Sequence, residues 1–121
     1  MANEIKVRIG LWVSKGNVSE DVAETDQYLT MTGDHLVHQT QEIGFAAAEA
    51  LNVGEITTVG WAYFRNLDAT NYVQIGYDDT GFKPTIKLKA GEYCVCRLGQ
   101  DAPYAQADTG AVDLEYILIE D

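Results

Sequence analysis

The side chains of this sequence that could carry out acid–base chemistry are mostly carboxylates that lie in close pairs. Asp113 and Glu115 are two residues apart and would share one face of a strand, so one could donate a proton while the other accepts it. Asp78 and Asp79 are adjacent. The 121 residues include 19 Asp and Glu, a number that produces such pairs by chance. A solvated, acidic strand face is therefore the favoured interpretation.

A nucleophile with a nearby general base is harder to assemble. The serines are Ser14 and Ser19, both in or beside an acidic segment, and the histidines are His35 and His38. Because the two histidines are three residues apart in a predicted strand, their side chains would point to opposite faces. A Ser-His-Asp site needs its groups within hydrogen-bond distance of one another. No set of residues meets that requirement, and we predict that the chain is not an enzyme.

The two cysteines, Cys94 and Cys96, would lie on one face of a strand. A disulfide at that spacing would be strained, so packed, reduced thiols are expected. Calcium prefers clustered loop oxygens, and residues 77–81 and 108–110 supply some of them without the ligand spacing of an EF-hand. The glycines are scattered and form no phosphate-binding loop. We therefore predict neither a metal nor a cofactor.

The overall charge narrows the range of partners. Lys and Arg total 8 against 19 Asp and Glu, which gives a formal net charge of -11. Nucleic-acid backbones and anionic membranes are themselves negative, so neither is expected as a partner. No apolar run approaches the roughly 18 residues of a membrane-spanning helix, and residues 1–10 lack the pattern of a secretory signal. A protein partner with basic patches would fit this charge.

Alternating polarity predicts strands along most of the chain. Residues 4–13 alternate without interruption, with aliphatic side chains on one face and Lys6 and Arg8 on the other. Residues 14–26 are polar and acidic and are predicted to form a surface loop. The other predicted strands lie in residues 27–33, 34–44, 55–66, 71–77, 85–98 (two strands with a turn at 90–91), 104–107 and 111–120. The first and last strands are the most apolar, so both are expected inside the sheets.

Turn residues separate these strands. Residues 68–71 favour a tight turn, Gly81 can adopt a positive φ, and Pro84 predicts a bulge or an edge strand. Residues 45–54 contain four alanines and are expected to form a short helix or an irregular loop. About eight strands with turns every eight to twelve residues are typical of a sandwich or a barrel. We predict an all-β, single-domain antiparallel β-sandwich over residues 1–121.

Residues 60–77 combine aromatic side chains with a polar segment, and two interpretations are open. Phe64 is predicted to face the core, which places Trp61, Tyr63 and Tyr72 on the opposite side within reach of Arg65. Tyr, Trp and Arg are enriched at protein–protein interfaces, so Trp61, Tyr63, Arg65 and Tyr72 are our candidate interface residues. A sugar-stacking platform is the alternative. The mid-strand position of these residues favours the interface.

Three stretches, in this order and spacing, resemble small structural proteins of tailed bacteriophages. They are GWAYFRNLDATNYVQIGYDDTGF (60–82), KLKAGEYCVCRL (87–98) and AVDLEYILIED (111–121). The resemblance covers residues 55–121 well and the first half only loosely. It implies a virion component with a jelly-roll-like β-sandwich: a capsid decoration (cement) protein, or a neck or tail piece. These motifs belong to the scaffold and carry no chemistry.

The resemblance also implies partners and a location. The partners would be the major capsid protein or other virion proteins, and the chain, made in the host cytoplasm, would sit at the capsid surface. Oligomers gain avidity on a repeating lattice, so we predict a homo-oligomer, with a trimer suited to local threefold axes. We expect the self-contact on the side of Trp61, Tyr63 and Tyr72, with residues 20–26 facing solvent. A carbohydrate-binding β-sandwich module used in adhesion is the alternative function.

Overall fold

The computed structural model describes residues 3–99 and 102–121, which fold entirely into strands and connecting loops. The described strands are β1 (Ile5–Lys15), β2 (Val18–Leu29), β3 (Leu36–Ile43), β4 (Glu49–Ala50), β5 (Val59–Asn66), β6 (Val73–Asp78), β7 (Phe82–Leu88), β8 (Tyr93–Arg97), β9 (Tyr104–Ala107) and β10 (Val112–Glu120). The predicted all-β fold class is confirmed. Since the described residues form no helix, none of them belongs to a helical membrane span.

The chain divides into two compact units, Met1–Thr32 and Gly33–Asp121. The first unit holds β1 and β2, which pair with each other as a two-stranded sheet. The second holds β3 to β10, arranged in two four-stranded sheets. The predicted sandwich is therefore seen within Gly33–Asp121, and the first unit, which we call the hairpin, is described separately.

The hairpin is a long antiparallel ribbon. Pairing runs from Ile5 opposite Leu29 to Lys15 opposite Val18, with one register shift at a bulge near the middle. Gly16 has a φ of 56° and opens a two-residue turn, the position where glycine suits the tight turns of β-hairpins. The predicted surface loop at residues 14–26 is wrong, because most of it is β2. Its aliphatic residues, Val18 and Val22, are four residues apart with acids between them, so the pattern of a strand was present but weak.

The prediction that the first strand lies inside a sheet core is also wrong for much of its length. Ile9, Leu11 and Val13 are 48%, 66% and 39% exposed, whereas Val7 is buried. The strand itself forms as its alternation predicted. Within the described residues, Ile9, Leu11 and Val13 are therefore covered much less than the apolar side chains of the sandwich.

In the sandwich, most neighbours within a sheet are distant in sequence, and the consecutive strands β6 and β7 are the exception. One sheet has the strand order β3-β10-β5-β8 and the other has the order β4-β9-β6-β7, with antiparallel pairing throughout. The chain therefore crosses repeatedly between the sheets. Pro84 lies in β7, an edge strand, opposite Gly76 at a register shift, as the sequence predicted.

One apolar core fills the space between the two sheets. Phe64 and Tyr116 come from the first sheet and their ring centroids are 6.5 Å apart, while Val73 and Ile75 come from the second. All four side chains are 1% exposed or less. The prediction that Phe64 faces the core is confirmed.

Residues 45–54 contain no helix. They form bends followed by β4, which pairs with β9. The Glu49 carboxylate accepts a hydrogen bond from the Gly44 backbone N–H at 3.0 Å, and Leu51 is buried in the core. These tertiary contacts override the helical preference of the four alanines, which amounts to only a few tenths of a kcal/mol per residue at about 25 °C.

Candidate functional site

The residues that best resemble a binding surface lie on the outer face of two adjacent strands, β5 and β8. Trp61 is paired with Arg97, Tyr63 with Val95, and Arg65 with Tyr93. On β5 the intervening side chains are buried, so these residues point away from the core. We call this set of six residues the β5–β8 face: Trp61, Tyr63, Arg65, Tyr93, Val95 and Arg97.

Two arginines of the β5–β8 face are held against aromatic rings. The Arg97 guanidinium lies 5.7 Å from the Trp61 ring centroid, and that of Arg65 lies 5.3 Å from the Tyr93 centroid. Arg97 Nη1 is also 3.1 Å from Asp121 Oδ1. Cation–π contacts at exposed sites contribute about 0.5–1 kcal/mol each and restrict the rotamers of both partners. Each arginine of the face is thus in contact with an aromatic ring of the same face.

The neighbouring strand β10 extends this surface. Ile117 lies opposite Tyr63, and Glu115 lies opposite Arg65. Glu115 Oε2 is 3.0 Å from His38 Nε2 on β3. The carboxylate that might have worked with Asp113 is thus engaged by a histidine across the sheet, in a pair that faces away from the core.

Exposure of the β5–β8 face is graded. Tyr93 and Val95 are 65% and 38% exposed, while Trp61 and Tyr63 are half-buried. The Trp61 indole Nε1 is buried and makes no hydrogen bond within the described residues. Aromatic and arginine side chains of this kind are enriched at the centres of protein–protein interfaces.

Tyr72 does not belong to this surface. It precedes β6, which lies in the other sheet, and the Lys87 ammonium sits 4.2 Å from its ring centroid. The sequence analysis placed Tyr72 beside Trp61 by treating β5 and β6 as neighbours. The structure instead sends the chain from one sheet to the other between them, so Trp61, Tyr63 and Arg65 lie together and Tyr72 lies apart.

The polar segment between the aromatics is a structural turn. The Asn66 side chain is fully buried and donates from Nδ2 to the carbonyls of Asn71 (2.9 Å) and Leu88 (3.1 Å). Its Oδ1 accepts from the Asp68 backbone N–H at 2.8 Å. The amide that could have bound a sugar hydroxyl is used to hold the crossing between the sheets.

Asp68 closes the same turn. Its Oδ2 accepts from the Asn71 N–H at 2.7 Å, from the Thr70 N–H at 3.0 Å and from the Thr70 hydroxyl. The bond from the Asn71 N–H, followed by that from Thr70, lowers the pKa of the Asp68 carboxyl. A carboxylate bonded in this way ties the turn together, as side-chain-to-backbone bonds of Asp commonly do.

A second polar cluster, centred on Glu120, was missed by the sequence analysis. Glu120 Oε1 accepts from Asp34 N (2.9 Å), His35 N (3.1 Å) and His35 Nδ1 (2.8 Å), while Oε2 accepts from the Thr57 N–H (3.0 Å) and hydroxyl. A side chain at Gly33 would collide with the same carboxylate. A signal existed: Glu120 continues the inward-facing alternation of β10 that ends in Leu118.

The hydrogen bonds to Glu120 have electrostatic consequences. Donation by the Thr57 and Asp34 N–H groups, and then by His35, lowers the Glu120 pKa to about 2. In return, the hydrogen bond to Glu120 raises the His35 pKa. The cluster joins two loop segments, at residues 34–35 and 57, to the end of β10, which is a structural role.

Cys94 and Cys96 are free thiols on the inner side of β8, half-buried against the core. Their mutual hydrogen bond lowers the pKa of Cys96, to about 7, and raises that of Cys94. Among residues 3–99 and 102–121, no three His, Cys, Asp or Glu side chains are placed to hold a metal ion together.

An open cleft of about 530 Å³ lies at one end of the sandwich. Its lining includes Ile75, Tyr77, Thr85, Leu98 and Pro103. The volume falls in the usual range of small-ligand sites, about 300–1,000 Å³, and Tyr77 offers a ring for stacking.

The sequence and the structure were compared with family models, with curated proteins and with solved structures. None of the three comparisons found a match.

Proposed function

We propose that this chain is a structural protein of a tailed-bacteriophage virion, and specifically a decoration protein that binds the capsid shell and stabilises it. The motifs of residues 55–121 suggest the class of protein. The observation that carries the proposal is the β5–β8 face, an outward surface of Trp, Tyr and Arg on two paired strands. Residues of these types provide most of the energy in protein–protein interfaces.

The strand order supports a jelly-roll interpretation. The eight strands β3 to β10 divide equally between two sheets, in the orders β3-β10-β5-β8 and β4-β9-β6-β7. Two interleaved Greek keys wound from a folded-over chain give this order, and such double-sheet jelly rolls recur in capsid and lectin domains. We assign the sandwich to that topology. Because lectins share it, the topology alone does not separate the two candidate functions.

The geometry favours a macromolecular partner for the β5–β8 face. Its side chains project from one face of two adjacent strands, whereas sites for small ligands are concave. The net charge of -11 fits a partner with basic patches, and the two arginines could pair with acidic groups at its rim. We assign the chain no catalytic role. In this proposal the protein is made in the host cytoplasm and binds at the capsid surface.

The experiment compares phage particles carrying the wild-type chain with particles carrying single variants. Tyr93→Ala removes the most exposed ring of the β5–β8 face, and we expect at least about 2 kcal/mol of lost binding, roughly 30-fold, if it is a hot spot. Tyr72→Ala, on the other sheet, is the matched control and should bind like the wild type. Retention after gradient purification is the readout.

Low-resolution images of the same particles locate the protein. Density on the shell that disappears without the chain supports a decoration protein, whereas density confined to the neck or tail supports the other virion role. Particles that never retain the wild-type chain would overturn the proposal.

The carbohydrate-binding alternative has one observation in its favour, the cleft that contains Tyr77. Binding to immobilised glycans that is lost in Tyr77→Ala and kept in Tyr93→Ala would favour this function. The reverse dependence, or no glycan binding, would leave the virion proposal as the better account.

A further inference from the structure

Two thiols lie side by side on β8, on the side of the strand opposite to the β5–β8 face. In the pairing of β8 with β5, Cys94 lies opposite Phe64 and Cys96 lies opposite Ala62. Because Phe64 and Ala62 are buried, both thiols project toward the inner side of the sheet. There they share a hydrogen bond with each other. We call Cys94 and Cys96 the thiol pair.

The thiol pair is open to solvent on one side. β8 is an edge strand, and among the described strands it pairs only with β5. Both cysteines are half-buried, pack against the edge of the apolar core and form no disulfide. A small ion can therefore reach the two sulfur atoms, while the core holds the other side of each thiol in place.

The spacing of the thiol pair suits a bridging atom better than a direct bond between the sulfurs. At about 3.3 Å per residue, the Cα atoms of residues two apart in a strand are roughly 6.6 Å apart. A disulfide needs Cβ atoms within about 3.5–4.5 Å, and the nearly parallel Cα–Cβ bonds on one face of a strand keep them further apart. An atom that binds both sulfurs closes this gap by side-chain rotation alone.

The number and type of the protein ligands select the ion. Among residues 3–99 and 102–121, no further His, Cys, Asp or Glu side chain joins the thiol pair to make a three-ligand site. Structural zinc takes four protein ligands, and calcium and magnesium take oxygen. Copper(I) is a soft ion that thiolates select, and two sulfur ligands satisfy it. On binding, both thiol protons pass to solvent and a singly negative bis-thiolate complex forms, which the half-exposed position keeps partly hydrated.

We propose that Cys94 and Cys96 form a binding site for one copper(I) ion, held between the two sulfur atoms at the open edge of β8. This proposal revises the sequence prediction that the chain binds no metal. It does not rest on the function proposed for the β5–β8 face, because the thiols and that face lie on opposite sides of the same strand. It stands whether or not the chain binds a viral shell.

The first test measures uptake of Cu⁺, kept reduced by ascorbate under nitrogen, by the purified full chain in competition with a coloured Cu⁺ chelator. The wild type should take up one ion per chain without a change in its sedimentation. Cys94→Ser and Cys96→Ser should each bind Cu⁺ at least about 100-fold more weakly, because the second thiol acts at a high effective concentration. Val95→Ser is the control. Val95 lies between the cysteines but projects to the outer face, so this variant should bind Cu⁺ like the wild type.

The second test needs no variant and so does not depend on any variant folding. X-ray absorption at the copper edge of the loaded wild type should show two sulfur neighbours and no nitrogen. Four outcomes would each overturn the proposal: no uptake of Cu⁺ by the wild type, unchanged uptake by a folded cysteine variant, nitrogen ligands in the spectrum, or a larger mass on loading. The last of these would mean that two copies of the chain share the ion.

Discussion

The strands β1 and β10 have similar sequence patterns but opposite environments. Val112, Leu114, Tyr116 and Leu118 alternate along β10 and are 1% exposed or less, while the alternating aliphatics of β1 are largely exposed from Ile9 onward. The difference lies in their neighbours. β10 has a strand on each edge and a second sheet across its inner face, whereas β1 has one neighbouring strand in the described chain. Alternation therefore specifies a strand and its two faces, but not what covers the apolar one.

The largest expected effect is the difference in stability loss between a core substitution in the sandwich and a substitution in the hairpin. Phe64→Ala should lower the free energy of unfolding by about 3–5 kcal/mol, because Phe64 is fully buried between the sheets. Leu11→Ala, measured by urea unfolding at a concentration low enough to dissociate any oligomer, should cost about 0.5 kcal/mol or less, as expected of an exposed site. Similar losses at both positions would mean that the hairpin has its own core.

The next effect concerns the polar turn that carries the chain between the sheets. Asn66→Ala leaves two carbonyls and one N–H without their side-chain partner, so we expect a loss of about 1–3 kcal/mol. Thr109→Ala is the control, because it removes only the exposed hydrogen bond that the Thr109 hydroxyl donates to Asn71 Oδ1. Its free energy of unfolding should stay within about 0.5 kcal/mol of the wild type. Thermal or urea unfolding of both variants provides the comparison, and an unchanged Asn66→Ala would contradict the turn's structural role.

The Glu120 cluster predicts a pH dependence in the sandwich. The folded Glu120 pKa of about 2 lies below its ordinary 4.5, so this contribution to stability is present above pH 4.5 and is lost as the pH falls toward 2. The folded His35 pKa is raised above its ordinary 6.5, so its contribution is complete below pH 6.5 and is lost as the pH rises through the raised value. Stability from this cluster should peak between about pH 4.5 and 6.5.

Glu120→Gln tests that dependence. The variant should be less stable than the wild type at pH 5.5, and its stability should change less between pH 5.5 and 8, because His35 loses its carboxylate partner. Urea unfolding at the two pH values gives the comparison. A variant with the full wild-type slope would mean that the pH dependence does not come from the His35–Glu120 pair.

The smallest expected effect is that of a substitution in the exposed ion pair of the hairpin. Arg8→Ala removes an ion pair whose arginine side chain is 60% exposed, so the free energy of unfolding should fall by about 0.5 kcal/mol or less. Salt screens exposed charges, so urea unfolding at high salt should show an even smaller difference between variant and wild type. A loss clearly above about 1 kcal/mol would contradict the description of this contact as an exposed ion pair.

The fold class was accessible from the sequence because local signals are strong where one face of a strand is buried. Period-two alternation located β5, β6, β9 and β10, and Pro84 correctly predicted an edge with a bulge. The prediction of a loop at residues 14–26 was wrong because the few aliphatic residues of this segment are spaced among charges. The helix considered for residues 45–54 does not form, because the local preference of alanine for helix is outweighed by the tertiary contacts of Glu49 and Leu51.

For the candidate site, the sequence by itself determined which side chains alternate outward on β5, and Trp61, Tyr63 and Arg65 do lie together. Only the tertiary structure decided that Tyr72 is on the other sheet, and that Tyr93 and Arg97 complete the surface. The physical reason is that alternation along one strand depends on backbone geometry alone, whereas neighbouring strands are chosen by packing and by the crossings between sheets. The carboxylate of Glu120 illustrates the same limit, since its partners at residues 34, 35 and 57 are brought to it only by the folded chain.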